Sequence, residues 1–131
     1  MAEHPDVALV RRGYDAFSTG DVATLSQIIA PDATQYQPGS GDLAGEHKGL
    51  QAILDFYGRL AAETGGSFRV ELERLYTDGK GQVVATHRAT AERAGRHLDT
   101  RASLTFTIVD GIARDIHGCQ EDIAEWDEFW A

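Results

Sequence analysis

The apolar positions of this chain follow two periods in succession. Val7, Val10, Tyr14 and Phe17 recur at helical spacing, Pro5 suits a first turn and Gly20 a stop, which predicts a first helix. Asp21 reads as the N-cap of a shorter second helix with Leu25, Ile28 and Ile29 on its apolar face, ended by Pro31. An extended piece over Ala33 to Gln37 leads into a glycine-rich loop, Pro38 to Gly45. A third helix is predicted over Leu50 to Glu63, with Leu50, Ile53, Leu54, Tyr57, Leu60 and Ala61 on one face and Gly65-Gly66 as its C-cap.

Beyond that point the period drops from 3.6 to 2. Phe68, Val70 and Leu72 alternate with Arg69, Glu71 and Glu73, the mark of a strand with one buried face. Turn signals at Asp78-Gly79 and Gly95 bracket a second strand, Gln82 to Arg93. One of its faces is Val83, Ala85, His87, Ala89 and Ala91. A third strand, His97 to Val109, places Leu98, Thr100, Ala102, Leu104, Phe106 and Ile108 together, and Asp110-Gly111 turns it into a fourth, Ile112 to Cys119. A last helix starts near Glu121 and carries Ile123, Trp126, Phe129 and Trp130. The pattern is α+β: three N-terminal helices packed on a curved antiparallel sheet, with a short C-terminal helix. Such a layout makes a cone whose mouth can hold a small molecule.

Length and charge narrow the possibilities. With 131 residues and no low-complexity linker, residues 1–131 are expected to form one domain. A net charge of −9 argues against nucleic acid or an anionic membrane surface as partner. No stretch approaches the roughly 18 apolar residues of a membrane span, and the first residues lack a basic start followed by an apolar run, so a cytoplasmic location is expected. The acidity is concentrated. Asp110 to Ala131 holds seven acidic residues and one Arg, most of them flanking the apolar stripe of the last helix.

The run Tyr14-Asp-Ala-Phe-Ser-Thr-Gly-Asp21, then Ile29-Ala-Pro-Asp-Ala33, Pro38-Gly, Ala44-Gly and Lys48-Gly49, resembles the SnoaL-like branch of the NTF2-like superfamily. Asp110-Gly111 and the run from Asp122 to Trp130 are similar to that family's closing strand and helix, so the resemblance covers almost the whole chain. It implies an α+β barrel or cone, commonly a homodimer built through the sheet. The family includes polyketide cyclases, ketosteroid isomerases, epoxide hydrolases and dehydratases, so fold alone does not name a chemistry. In the isomerases an Asp base precedes a Pro-x-Gly stretch; here Gln37 stands in that place, and an amide takes no proton at neutral pH. Their oxyanion-hole Tyr falls at about Gly13, one residue and roughly 100° of helix before Tyr14. Their second acid aligns near Leu104. The resemblance therefore implies a pocket but not the isomerase mechanism. The cyclase-type members use an acid/base pair, His and Asp among them, without metal or cofactor. The closest candidates for that pair are His117 and Asp122.

Three residues are thus candidate catalytic groups. His87 is the polar member of a small apolar strand face, where a half-buried imidazole titrates near neutrality. His117 shares a strand face with Asp115, and Asp122 follows just beyond. Tyr14, Phe17, Tyr36, Gln37, Tyr57, Leu104, Phe106 and Trp126 are candidate substrate contacts, with Tyr36 and Tyr57 bringing hydroxyls able to orient a carbonyl. The segment 38–49 is a candidate lid. No metal is expected, because the five histidines show neither H-x-x-x-H nor H-E-x-x-H spacing and Cys119 is the single cysteine. No cofactor motif is present either. Two functions remain open: a cofactor-independent acid/base enzyme of cyclase, isomerase or dehydratase type acting on a small apolar or aromatic carbonyl or hydroxy compound, or a binding or assembly module without turnover. A homodimer through the sheet is expected, since the strand face opposite the helices offers Val84, Thr86 and Val109.

Overall fold

The first helix, α1 (Pro5–Thr19), begins with Pro5 in its first turn and the His4 side chain accepting the Asp6 N–H at 3.1 Å, in a computed structural model that describes residues 3–131. Gly20 ends it in the left-handed conformation, which returns its N–H to the carbonyls of Ala16 and Phe17. Asp21 caps α2 (Val22–Ile28) by accepting the Thr24 N–H. That helix stops three residues before Pro31, because the chain is already extended at Ile29 and continues as β1 (Ile29–Gln37). Helix α3 (Leu50–Glu63) turns Ile53, Phe56 and Leu60 inward. Four strands follow, β3 (Arg69–Thr77), β4 (Gln82–Arg93), β5 (Arg96–Val109) and β6 (Ile112–Gln120), before α4 (Ile123–Trp130).

The glycine-rich segment is not a plain loop. Gly45–Lys48 form β2, antiparallel to β1, with side chains half-buried or exposed on both faces. Alternation therefore left no trace there. Strand β3 also runs five residues past Leu72. A register shift between Leu72 and Arg74 puts Glu73 and Arg74 both outward and breaks the period.

The sheet has the order β2-β1-β6-β5-β4-β3. Strands β3 to β6 form the expected antiparallel meander, but β1 lies parallel to β6, so the sheet is mixed rather than antiparallel. A parallel neighbour needs a long connection instead of a hairpin. Here that connection is everything from β2 to β5, and no local pattern announces it. Register shifts in β1–β6, β3–β4 and β5–β6 bend the sheet into an open curve. Its concave face carries Val83, Ala85, Ala89, Ala91 and Leu98, all buried under the helices.

Helix α4 is held at both ends. Asp122 accepts the Glu125 N–H at its start, while Arg93 and Arg96 donate to the carbonyls of Phe129, Glu128 and Ala131 at its end. In between, the Asp127 carboxylate accepts from the Ser40 N–H at 3.0 Å and the Ser40 hydroxyl at 3.1 Å. This strap pins the segment after β1. Gly39 makes it possible: its φ is +127°, and a Cβ there would stand 2.7 Å from the Asp127 carboxylate and 3.4 Å from the Trp126 ring. Gly39→Ala is expected to lower stability by about 2 kcal/mol, read as a fall in the denaturation midpoint, with the Asp127→Ala background absorbing part of the loss.

Candidate functional site

Between the helices and the concave sheet lies a cavity of about 90 Å³, open on one side. Its wall is almost wholly apolar. Helix α1 contributes Leu9, Val10, Gly13, Tyr14 and Phe17, α3 contributes Phe56, Tyr57 and Leu60, and α4 contributes Trp126. Gly13 sits in the interior of α1, where glycine costs about 1 kcal/mol relative to alanine, and a Cβ there would meet nothing within 4 Å. A notch in the wall results.

Six polar side chains line the cavity: Tyr14, Gln35, Gln37, Tyr57, His87 and Gln120. No carboxylate, Lys or Arg is among the described lining residues. His87 projects from β4 toward α1, and the Tyr14 hydroxyl lies 2.6 Å from its Nδ1. The rings meet edge-on at 5.5 Å. Burial lowers the His87 pKa to about 4, only partly opposed by the Glu73 charge. Burial likewise raises the Tyr14 hydroxyl well above its ordinary value. Both groups are therefore neutral at pH 7. Nearby, the Tyr57 hydroxyl donates to Gln35 Oε1 at 2.5 Å, and burial raises its pKa too. The Gln37 amide donates to the Pro38 carbonyl at 3.3 Å.

A neutral imidazole beside a neutral phenol has two arrangements. With Tyr14 donating to Nδ1, the ring proton sits on Nε2 and is free to donate. With Nδ1–H donating to the Tyr14 oxygen, Nε2 is a free base and the Tyr14 proton is free to donate. Either way the pair retains one free donor, and the second arrangement adds a free proton acceptor.

The structure thus brings His87, Tyr14, Phe17, Gln37, Tyr57, Leu104, Phe106 and Trp126 to one cavity. It places the other three candidates elsewhere. His117 is exposed on the convex face, stacked on Tyr36 with ring centroids 4.7 Å apart, because both alternate outward on the paired strands β1 and β6. The Asp115 carboxylate accepts from the Thr34 hydroxyl at 2.7 Å instead of pairing with His117. Asp122 is the exposed cap of α4. His87 and His117 therefore face opposite sides of the sheet and do not form a pair. The segment 38–49 supplies no lining residue. Leu43 is buried, the His47 ring stacks on Phe56, and its Nε2 lies 2.9 Å from the Leu43 carbonyl, so the segment is a strap and not a lid over the cavity. Gln35 and Gln120 line the cavity without being among the sequence candidates. Gln35 was legible as the same-face neighbour of Gln37, whereas Gln120 needed the strand register.

The His87 environment sets a pH dependence. The unfolded imidazole takes a proton near 6.5 and the folded one only near 4, so the unfolded state binds more protons between those values. Stability attached to His87 is full above 6.5 and falls as pH drops toward 4. At pH 5 the loss amounts to about 2 kcal/mol relative to pH 7.5. Urea denaturation at both pH values should show a steeper acid loss in the wild type than in His87→Gln. Equal losses would place the imidazole in solvent.

Among known proteins, a family model described as a SnoaL-like domain matches residues 10–116. The uncharacterized protein Rv0034 of Mycobacterium tuberculosis is 37% identical over 131 residues, the full length of both chains. Bal32a, from a soil-derived mobile gene cassette, has a structure that superposes with a TM-score of 0.95, at 38% identity over 97% of each chain. TerC, in a structure co-crystallized with polyporic acid, shares the fold at 19% identity, with a TM-score of 0.83 over 95% of this chain and 97% of its own. Helices on a curved, open sheet, a family model over most of the chain and a full-length relative establish that this protein belongs to the SnoaL-like family of the NTF2-like fold.

Proposed function

We propose that the cone cavity takes up a small, uncharged, largely apolar carbonyl or hydroxy compound, and that the His87–Tyr14 pair moves a proton on it. The observation that carries this is a buried, neutral imidazole–phenol pair opening on an apolar cavity without ionic groups. A charged ligand would lose its hydration there and gain no counter-ion. A carbonyl oxygen facing the pair meets a donor, while Nε2 in its basic form reaches a proton on the adjacent carbon or hydroxyl. An imidazole this weakly basic suits protons that the ligand itself has acidified. The reaction class is that of a cyclase, isomerase or dehydratase, in keeping with a family related to polyketide cyclases. The steroid-isomerase route does not fit, since its base and second acid are replaced by Gln37 and Leu104. TerC, in a structure co-crystallized with polyporic acid, shares the fold alone.

The absence of a carboxylate from the lining favours the second reading, a binding module without turnover. One probe separates the two. 2-Indanone has flat apolar bulk and methylene protons acidified by both ring and carbonyl. In D₂O the wild type is expected to exchange those protons at least about tenfold faster than buffer, followed by proton NMR, with His87→Gln at the buffer rate. Saturable binding with no faster exchange sinks the enzyme reading and leaves the binding module.

We also propose that the convex sheet face pairs with a second copy. Tyr36 and Val109 stand exposed near that face beside half-buried Val84 and Thr86, which supports this reading. Light scattering at micromolar concentration should give twice the 14.3 kDa chain mass, and Val84→Glu should return the monomer. A wild-type mass of one chain would end this reading.

A further inference from the structure

One buried acceptor, on a residue that lines the cavity, has no partner. The Oε1 of Gln120 is inaccessible to solvent, and no described residue donates to it. Leaving such an oxygen unpaired costs free energy that folding does not recover. Two other buried side-chain atoms share that state, Thr100 Oγ1 and Trp130 Nε1, but neither residue lines the cavity.

The strand register shows where Gln120 stands. His87 of β4 pairs with Ala102 of β5, and Ala102 pairs with Gln120 of β6. Residues paired across adjacent strands point to the same face, so the three form one row on the cavity side. Strands lie about 4.8 Å apart, which separates the His87 and Gln120 backbones by roughly 10 Å. The residue between them is an alanine, buried at 7% exposure, whose methyl group leaves a flat floor. Two polar side chains thus flank an apolar floor, one able to donate through the His87–Tyr14 pair and the other carrying an amide oxygen without a donor.

We infer that Gln120 is a specificity-determining residue: turned into the cavity, its amide oxygen accepts a hydrogen bond from a hydroxyl or N–H at the end of the ligand opposite the oxygen held by His87 and Tyr14. The ligand class is then a flat apolar body carrying an acceptor at one end and a donor at the other. This rests on the proposed use of the cavity, and adds to it the ligand's second polar group and the residue that selects it.

The test is calorimetric titration with 2-indanone, 5-hydroxy-2-indanone and 5-methoxy-2-indanone, which keep one ring system and vary only the far substituent. The wild type should bind the hydroxy compound about tenfold more tightly than either of the others, the worth of one buried neutral hydrogen bond. Gln120→Met, similar in length but without the amide, should lose that preference and bind the hydroxy compound no more tightly than 2-indanone. It should melt at or above the wild-type temperature, since it removes an unpaired acceptor. Three results would overturn the proposal: a methyl ether bound as tightly as the phenol, no hydroxyl preference in the wild type, or a preference that survives in Gln120→Met. If the wild type binds all three equally, only the role of Gln120 falls. If it binds none of them, the small-molecule reading of the cavity falls as well. The wild-type comparison can overturn the proposal even where the variant folds poorly.

Discussion

A buried imidazole must find a hydrogen-bond partner, and here the partner comes from the opposite layer. Tyr14 on the first helix reaches His87 on the fourth strand, 73 residues later in the chain. That bond joins helix to sheet at the point where small side chains would otherwise leave the layers without a polar contact. It also sets the rotation of α1: with Tyr14 turned inward, Val7 and Val10 pack on Val83 and Ile108, and Gly13 faces the cavity. The space under α1 and the chemistry of its polar wall have one origin.

The same pair sets the polarity of the cavity wall. Burial holds both groups neutral, and the apolar lining supplies no charge to balance an ion. The protein's strong acidity therefore does not reach the site. Its acidic tail is used structurally. Asp122 caps α4, and Asp127 ties that helix to Ser40 across the sheet end. Arginines from β4 and β5 receive the far end of the same helix. Trp126 can form part of the cavity wall because this helix is anchored from three directions.

Much of the architecture could be read from local pattern. The helical face ending in Phe17, the Asp21 cap, the span Leu50–Glu63 and the alternation from Gln82 to Arg93 all reappear in the structure at those residues. Each depends on neighbours within a turn or a strand, and that information is present in sequence order. The departures share a different cause. Strand β2, the bulge after Leu72 and the parallel partnership of β1 with β6 depend on what lies across the sheet. Membership in the SnoaL-like family was legible too, from the order of several weak motifs along nearly the whole chain.

The site divides along the same line. By itself the sequence determined which residues had the chemistry to matter: a histidine on a face of alanines, aromatic residues at helical spacing, and an amide in place of a carboxylate at Gln37. Only the tertiary structure decided which of them meet. A strand's period of two places His87 and His117 on faces of a sheet, but the inward face of each strand is set by register and by the helices above it. That choice sent His117 to the convex side with Tyr36, and brought Gln120 into the row that begins at His87. Pairing across strands joins residues far apart in the chain, and no spacing along one segment encodes it.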